Sequence, residues 1–260
     1  MSETGDAPLV RLVVDDRIAT ITLDSPANRN ALSRRLLVEL AGHLAAARDD
    51  PGVRAVVLTA TGTTFCSGAD LADPPGAGAA GSVSLPEILT DMWRYPKAIV
   101  VRLNGHVRAG GTGLVAAADI VVAPSSATFA FTEVRIGVAP AVIAVVCGRR
   151  MSARALARYT LTGERFDAAA AADAGLVTIV VEPDALDAAV AEVADAVRLT
   201  EPNAVRATKD LLTRLPAMGL DEGFSWAEEL SQRLFRSPEA AEGIQAFREK
   251  RPPVWASGQG

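Results

Sequence analysis

An order of apolar strand, glycine-rich loop and helix recurs along the chain, and it constrains the fold more than any other feature. Val53 to Thr59 reads as a buried strand and runs into the turn-rich loop ATGTTFCSGAD. Ala98 to Leu103 then leads through Gly105 to Gly113 into the helical stretch Leu114 to Ala118, and a further strand runs from Thr128 to Phe131. Strands joined through helices favour parallel pairing, because a parallel neighbour is reached only by a crossover. An α/β core follows from that.

The flanks add to this core. Val10 to Val14 and Ile18 to Leu23 are β-branched runs separated by Asp15, Asp16 and Arg17, which predicts an N-terminal hairpin. Ser33 precedes a helix on which Leu36, Leu37, Leu40 and Leu44 recur at helical spacing. Pro74 to Ser82 is a proline- and glycine-rich segment expected to be mobile. From Leu186 the text is helical, punctuated by Pro202, Pro216 and Pro238. This C-terminal stretch has no evident core of its own, so it is expected to pack on a neighbour and form an oligomer.

Composition sets limits on function. With 260 residues, 49% of them hydrophobic and 22% charged, the chain can bury one large domain or a domain with a helical extension. A net charge of −5 offers no basic surface that would hold nucleic acid or anionic lipid. The start, MSETGDAPLV, is acidic where a secretory signal would be basic and then apolar, so a cytoplasmic protein is expected. Leu114 to Ala123 and Val138 to Cys147 are too short to cross a bilayer, which takes ~20 apolar residues, and read as core elements. Cys66 and Cys147 show no metal-type spacing and read as two buried thiols, with no disulfide and no zinc.

Chemistry concentrates between Gly105 and Glu133. A helix opening on Gly110 and Gly111 presents unpaired N–H groups at its positive end, where a developing negative charge can be held. By themselves the two glycines read first as a tight strand-to-helix turn, and only second as a place to hold charge. Glu133 follows an apolar strand; in an apolar pocket its pKa would rise and suit proton exchange near neutral pH, whereas at a solvated strand end it would do nothing. Other motifs fail. AGGTGL lacks the dinucleotide spacing, no GKS or GKT follows a glycine loop, and Phe65 replaces the first glycine of a nucleophile elbow in CSGAD. His43 and His106 read as structural, and no triad is apparent.

Five stretches in order carry a family resemblance: FCSGADL at 65 to 71, NGHVRAGGTGLVAAADIVVA at 104 to 123, FTEVRIGVAPA at 131 to 141, LTGERFDAAAAADAGLV at 161 to 177, and AFREKRPPVW near the end. Together with SPANRNALS at 25 to 33 they resemble the crotonase superfamily of enoyl-CoA hydratases and isomerases over almost the whole chain. The resemblance implies an α/β spiral of ββα units over residues 1–198 and a helical trimerisation region over residues 199–260, assembled as a homotrimer or a dimer of trimers. It implies an acyl thioester of coenzyme A as substrate, with no cofactor beyond that CoA and no metal. The backbone N–H groups of Ala69 and Gly110 would bind the thioester oxygen, and Glu133 would exchange the α-proton. Arg29 and Lys250 would approach the CoA phosphates, Lys250 from a neighbouring C-terminus, with a simply solvated side chain the other reading of each. Ala31, Ser67, Asp70 and Leu71 would surround the adenine and pantetheine, with a structural turn the other reading of Asp70.

The chain departs from the family pattern at one carboxylate: Gly113 stands where hydratases commonly carry a first glutamate. FTEVRIGVAPAVI with GGTGLVAAAD resembles a bacterial subgroup, including methylglutaconyl-CoA-type hydratases, that shares this glycine. Hydration of a short or branched 2-enoyl-CoA is the expected activity. An enoyl-CoA delta-isomerase, needing one carboxylate, and a non-catalytic acyl-CoA-binding protein are the alternatives. The loop from Pro74 to Leu85 is expected to shape the acyl end.

Overall fold

A computed structural model describes residues 7–73 and 82–256. The acidic first six residues and Pro74 to Gly81, with the expectations of a missing signal, mobility and acyl-end shaping that fall on them, lie outside the described residues.

β1 (Val10–Asp15) and β2 (Ile18–Leu23) form the expected antiparallel hairpin, in register from Val10 opposite Leu23 to Asp15 opposite Ile18. Asp16 and Arg17 at its tip both have positive φ, 41° and 68°, the geometry whose twist matches the flanking strands. α1 (Arg34–Asp49) begins where the Ser33 side chain accepts from Leu36 N, and it buries Leu36, Leu37, Leu40 and Leu44 against the hairpin.

A three-element unit then repeats. β3 (Ala55–Ala60), β4 (Thr64–Cys66) and α2 (Leu85–Trp93) are followed by β5 (Ala98–Arg102), β6 (His106–Arg108) and α3 (Gly110–Ala117), then by β7 (Ile120–Pro124), β8 (Thr128–Ala130) and α4 (Ala141–Cys147). In each unit the longer strand joins one sheet and the short strand another. Past α5 (Ala153–Thr162), β9 (Phe166–Asp167), α6 (Ala168–Asp173) and β10 (Ile179–Val181) complete the sheets, in the orders β1-β2-β3-β5-β7-β10 and β4-β6-β8-β9. Among the described residues only β1 and β9 pair antiparallel, each at an end of its sheet. The chain thus winds as a spiral of ββα turns, and α3 lies inside it with all eight residues buried.

The run Val138 to Cys147 differs from expectation. Ile143, Val146 and Cys147 are core, but Val138, Val142 and Val145 are exposed. A helix apolar on every side can turn only one face to the spiral, and the other face of α4 stays bare in the single chain.

α7 (Leu186–Arg198) packs on the six-stranded sheet, and α8 (Pro202–Arg214), α9 (Leu220–Phe235) and α10 (Pro238–Glu249) follow. Lys209 of α8 ties this region to the core. It is buried, and its Nζ donates to Asp119 Oδ2 at 2.5 Å and to Lys97 O at 3.1 Å. Outward, Leu220 is 77% and Phe247 82% exposed, with Phe224 and Phe235 similarly bare. No helix among the described residues is long and apolar enough to cross a membrane.

Candidate active site

Asn30 fixes the first wall. Fully buried, it accepts from Ser25 N at 2.8 Å through Oδ1 and donates through Nδ2 to Thr61 O and Thr64 O at 3.0 and 2.8 Å. This clamps the loop after β2 to the turn between β3 and β4. Leu32 then pairs in parallel with Ala69: Leu32 N donates to Gly68 O at 2.8 Å, and Asp70 N donates to Leu32 O at 3.3 Å. The pairing uses the groups on either side of Ala69 and leaves the Ala69 N–H with no acceptor among the described residues.

The second amide comes from α3. Ala109 sits at φ 46°, ψ −122°, a conformation that normally requires glycine, and is held there by its own N–H to Ala130 O and by Thr112, whose N and Oγ1 both donate to Ala109 O. Gly110 is the first helical residue, so its N–H has no partner within the helix, and it has none elsewhere among the described residues. The two loops touch here. A Cβ on Gly68, whose φ is +98°, would lie 2.7 Å from Ala109 Cβ and 3.4 Å from Gly110 N. A Cβ on Gly110 would lie 3.6 Å from Gly68 Cα. Glycine is needed at 68 for both conformation and approach, and the free amides of Ala69 and Gly110 are neighbours as a result.

Glu133 opens a single 3₁₀ turn, Glu133–Ile136, directly after the buried Phe131 and the half-buried Thr132. Its Oε2 is buried with no hydrogen-bond partner. Burial raises the carboxyl pKa, opposed by its own backbone N–H. A strand-end carboxylate in solvent would show neither property. The neighbouring Cys147 joins Glu133 to α3. Its Sγ lies 3.7 Å from Thr112 O, and burial, with a smaller contribution from the Glu133 charge, pushes the thiol to about 12. Cys66 is pushed equally high by burial, and both thiols are free and buried, as the sequence implied.

One turn along α3 from Gly110, a Cβ on Gly113 would lie 2.6 Å from Ile143 Cγ2 and 3.2 Å from Leu89 Cδ1. Two apolar side chains occupy the space a glutamate would need. The wall there is hydrocarbon, and Glu133 faces no second carboxylate from position 113.

The remaining expected contacts divide. Arg29, Ala31, Ser67, Asp70 and Leu71 gather on one rim: Ser67 N donates to Arg29 O at 3.1 Å, Arg29 and Leu71 are exposed, and Ala31 is buried. Asp70 makes a turn, its Oδ1 accepting from Ala72 N at 3.0 Å. Lys250 ends α10 in a left-handed conformation, exposed, and makes no hydrogen bond or ion pair with that rim within the chain. Sequence reasoning did not single out Asn30, Ala109, Leu89 or Ile143. Asn30 stood in NRNAL in plain view, but only its burial shows it to be a clamp, and the others matter through geometry that no spacing announces.

The sequence profile of the family described as enoyl-CoA hydratase/isomerase matches residues 14–258. A Thermus thermophilus protein bearing an enoyl-CoA hydratase name is 38% identical over 91% of this chain and 96% of its own length. The 2,3-dehydroadipyl-CoA hydratase of Escherichia coli is 30% identical over 91% of this chain and 94% of its own. Among solved structures, an enoyl-CoA hydratase of Mycobacterium smegmatis superposes with a TM-score of 0.89 at 30% identity, covering 96% of this chain and all of that one. AtuE of Pseudomonas aeruginosa gives the same TM-score at 34% identity, with the same coverage.

Proposed function

This chain belongs to the enoyl-CoA hydratase/isomerase family, and from that membership we propose that it adds water reversibly to a 2-enoyl-CoA to give the 3-hydroxyacyl-CoA. The observation that carries the reading is the buried, unpartnered Glu133 Oε2 beside a helix whose first amide is free. A buried acceptor left without a partner is destabilising, and such groups are kept where chemistry uses them.

The thioester oxygen takes the N–H groups of Ala69 and Gly110. As hydroxide character adds to C3, the electron pair of the double bond moves toward that oxygen and an enolate forms. Two fixed donors stabilise its charge, each by roughly 3–4 kcal/mol. The Glu133 carboxylate removes one proton from the attacking water and returns a proton to C2. It finishes ionised, as it started. One residue acting on one face delivers both H and OH to that face, so addition is syn. The missing glutamate at position 113 is therefore compatible with hydration.

CoA lies along the rim of Arg29, Ala31, Ser67, Asp70 and Leu71, and Lys250 reaches its phosphates from a neighbouring copy in a homotrimer or dimer of trimers. The reaction draws on no cofactor beyond the substrate's own CoA. Fatty acid or branched acyl-CoA breakdown in the cytoplasm is the setting, with the spiral over residues 1–198 and the assembly region over 199–260.

A second reading, enoyl-CoA isomerase, is favoured by the same single carboxylate, which can carry a proton between C4 and C2. Purified protein given a panel of 2-enoyl- and 3-enoyl-CoAs in deuterated water separates the two. A 3-hydroxyacyl-CoA with one deuterium at C2 supports hydration. Double-bond migration without any hydroxyl product shows the isomerase, and no turnover by folded protein that still binds acyl-CoA shows a binding protein.

A further inference from the structure

Ser33, Ser84, Ser152 and Ser237 cap α1, α2, α5 and α10, each hydroxyl accepting from an N–H of the first turn. The helix α3 begins instead on Ala109, which has no side-chain oxygen to offer. Its first turn is fixed from the other side. Thr112 is fully buried, and its hydroxyl donates to Ala109 O at 2.6 Å, beside the 2.9 Å bond that Thr112 N makes to the same atom.

That oxygen belongs to the peptide that carries the Gly110 N–H. A trans peptide is planar, with its oxygen and its N–H pointing opposite ways, so whatever fixes Ala109 O also fixes the direction of the Gly110 amide. The plane needs holding, because Ala109 sits at φ 46°, ψ −122°. Turning the plane over would bring Ala109 to the commoner left-handed region, would cost a glycine at 110 little, and would swing the N–H into the helix. Both bonds from Thr112 break in that move. A threonine hydroxyl on a carbonyl one turn back is an ordinary helix contact, and Thr90 and Thr208 make it on exposed faces. Only at Thr112, among these three, does the accepting carbonyl share a peptide with a free amide of the candidate site.

We propose that Thr112 is a positioning residue for the reaction: its hydroxyl locks the Ala109–Gly110 peptide with the N–H turned to the thioester oxygen and makes that N–H a stronger donor. The inference rests on the hydratase reading above, in which this amide holds the enolate. Hydrogen bonds in a chain polarise one another, so a peptide whose oxygen accepts two of them presents a more positive N–H at its other edge. The enolate oxygen gains more from such a donor than the neutral thioester does, and the effect falls on kcat more than on binding.

Thr112→Val removes the hydroxyl at nearly constant shape, whereas Thr112→Ser keeps it; both are compared with wild type once circular dichroism shows them folded, with Thr112→Ala in place of a Thr112→Val that does not fold. On the best 2-enoyl-CoA, Thr112→Val should lose roughly fivefold to thirtyfold in kcat, less than the loss of a whole donor, and Thr112→Ser should stay within about threefold of wild type. A second readout needs no turnover: infrared difference spectra of bound butyryl-CoA, with and without carbon-13 at C1, report the thioester C=O stretch. Binding should lower that frequency in wild type and Thr112→Ser, and by less than about half as much in Thr112→Val, with affinity for butyryl-CoA within about threefold throughout. A folded Thr112→Val with the wild-type C=O frequency would overturn the proposal. So would a Thr112→Ser as impaired as Thr112→Val, since the methyl and not the hydroxyl would then matter. Failure of the hydratase reading shows separately, as absence of hydroxyl product from 2-enoyl-CoAs by wild-type protein that binds butyryl-CoA, and the infrared comparison then decides the role of Thr112 by itself.

Discussion

Burial keeps the proton on Glu133 to higher pH than in the unfolded chain, and two consequences follow at the scale of this residue. Its folded pKa lies above the ordinary 4.5, so its contribution to stability is complete below that value and is lost as pH rises through the folded pKa. Glu133→Gln escapes this loss. The melting temperature of the variant, relative to wild type, should therefore climb between pH 4 and pH 8; a difference that stays flat or shrinks would mean the carboxyl is solvated. Position 113 gives a second test. With Ile143 Cγ2 only 2.6 Å from where its Cβ would start, Gly113→Glu should destabilise by ~1–3 kcal/mol, the usual range for overpacking. Adding Ile143→Ala should recover part of that relative to the sum of the two single changes, a coupling readable in urea unfolding as a double-mutant cycle. Strict additivity would show that Ile143 is not what excludes the glutamate.

At the scale of elements, the site is built by loops that the strands of two sheets bring together, and α3 carries the strain. Ala109 holds a sparsely populated positive-φ conformation that costs a non-glycine residue ~1–3 kcal/mol. Ala109→Gly should thus leave the protein as stable or up to ~1 kcal/mol more stable, because relief of strain is partly offset by the freer unfolded chain. Chemical denaturation measures this, and a loss above ~1 kcal/mol would show that the alanine methyl packs usefully. The elements themselves were legible in the sequence where the text was periodic or β-branched: the hairpin, α1 with its Ser33 cap, and the strands β3, β5 and β8, whereas the three-residue β4 and β6 lay inside stretches read as loops and β7 was not read as a strand. Ala109 was not, because nothing in the letters RAGG tells which residue takes the positive φ. Nor did Val138 to Cys147 reveal that one face of α4 is bare, since an apolar run without periodicity does not say how many of its sides meet protein.

At the scale of the whole molecule, the spiral and the family were readable because five motifs keep their order over nearly the entire chain. The proposal of Glu133 and the two amides as a set came only through that resemblance, since no spacing announces the Gly68 contact that brings the segments of Ala69 and Gly110 together across forty residues. What covers the bare apolar side chains of α9 and α10 is a question of assembly. Leu220, Phe224, Phe235 and Phe247 exposed together exceed what a monomer usually shows to water. Sedimentation at micromolar concentration should give three or six copies of the chain, and Phe224→Asp/Phe247→Asp should reduce that number. A wild-type protein that sediments as a monomer would remove the route proposed for Lys250 to reach CoA.

Glu133 is proposed to act alone on an enolate held by two amides, and the rate of folded Glu133→Gln on the best 2-enoyl-CoA of the panel tests that role directly. With affinity for the saturated acyl-CoA measured alongside, hydration should fall by roughly 10²–10⁴ in kcat while that affinity stays within threefold of wild type. A kcat within twofold of wild type would contradict the assignment and send the proton to another group.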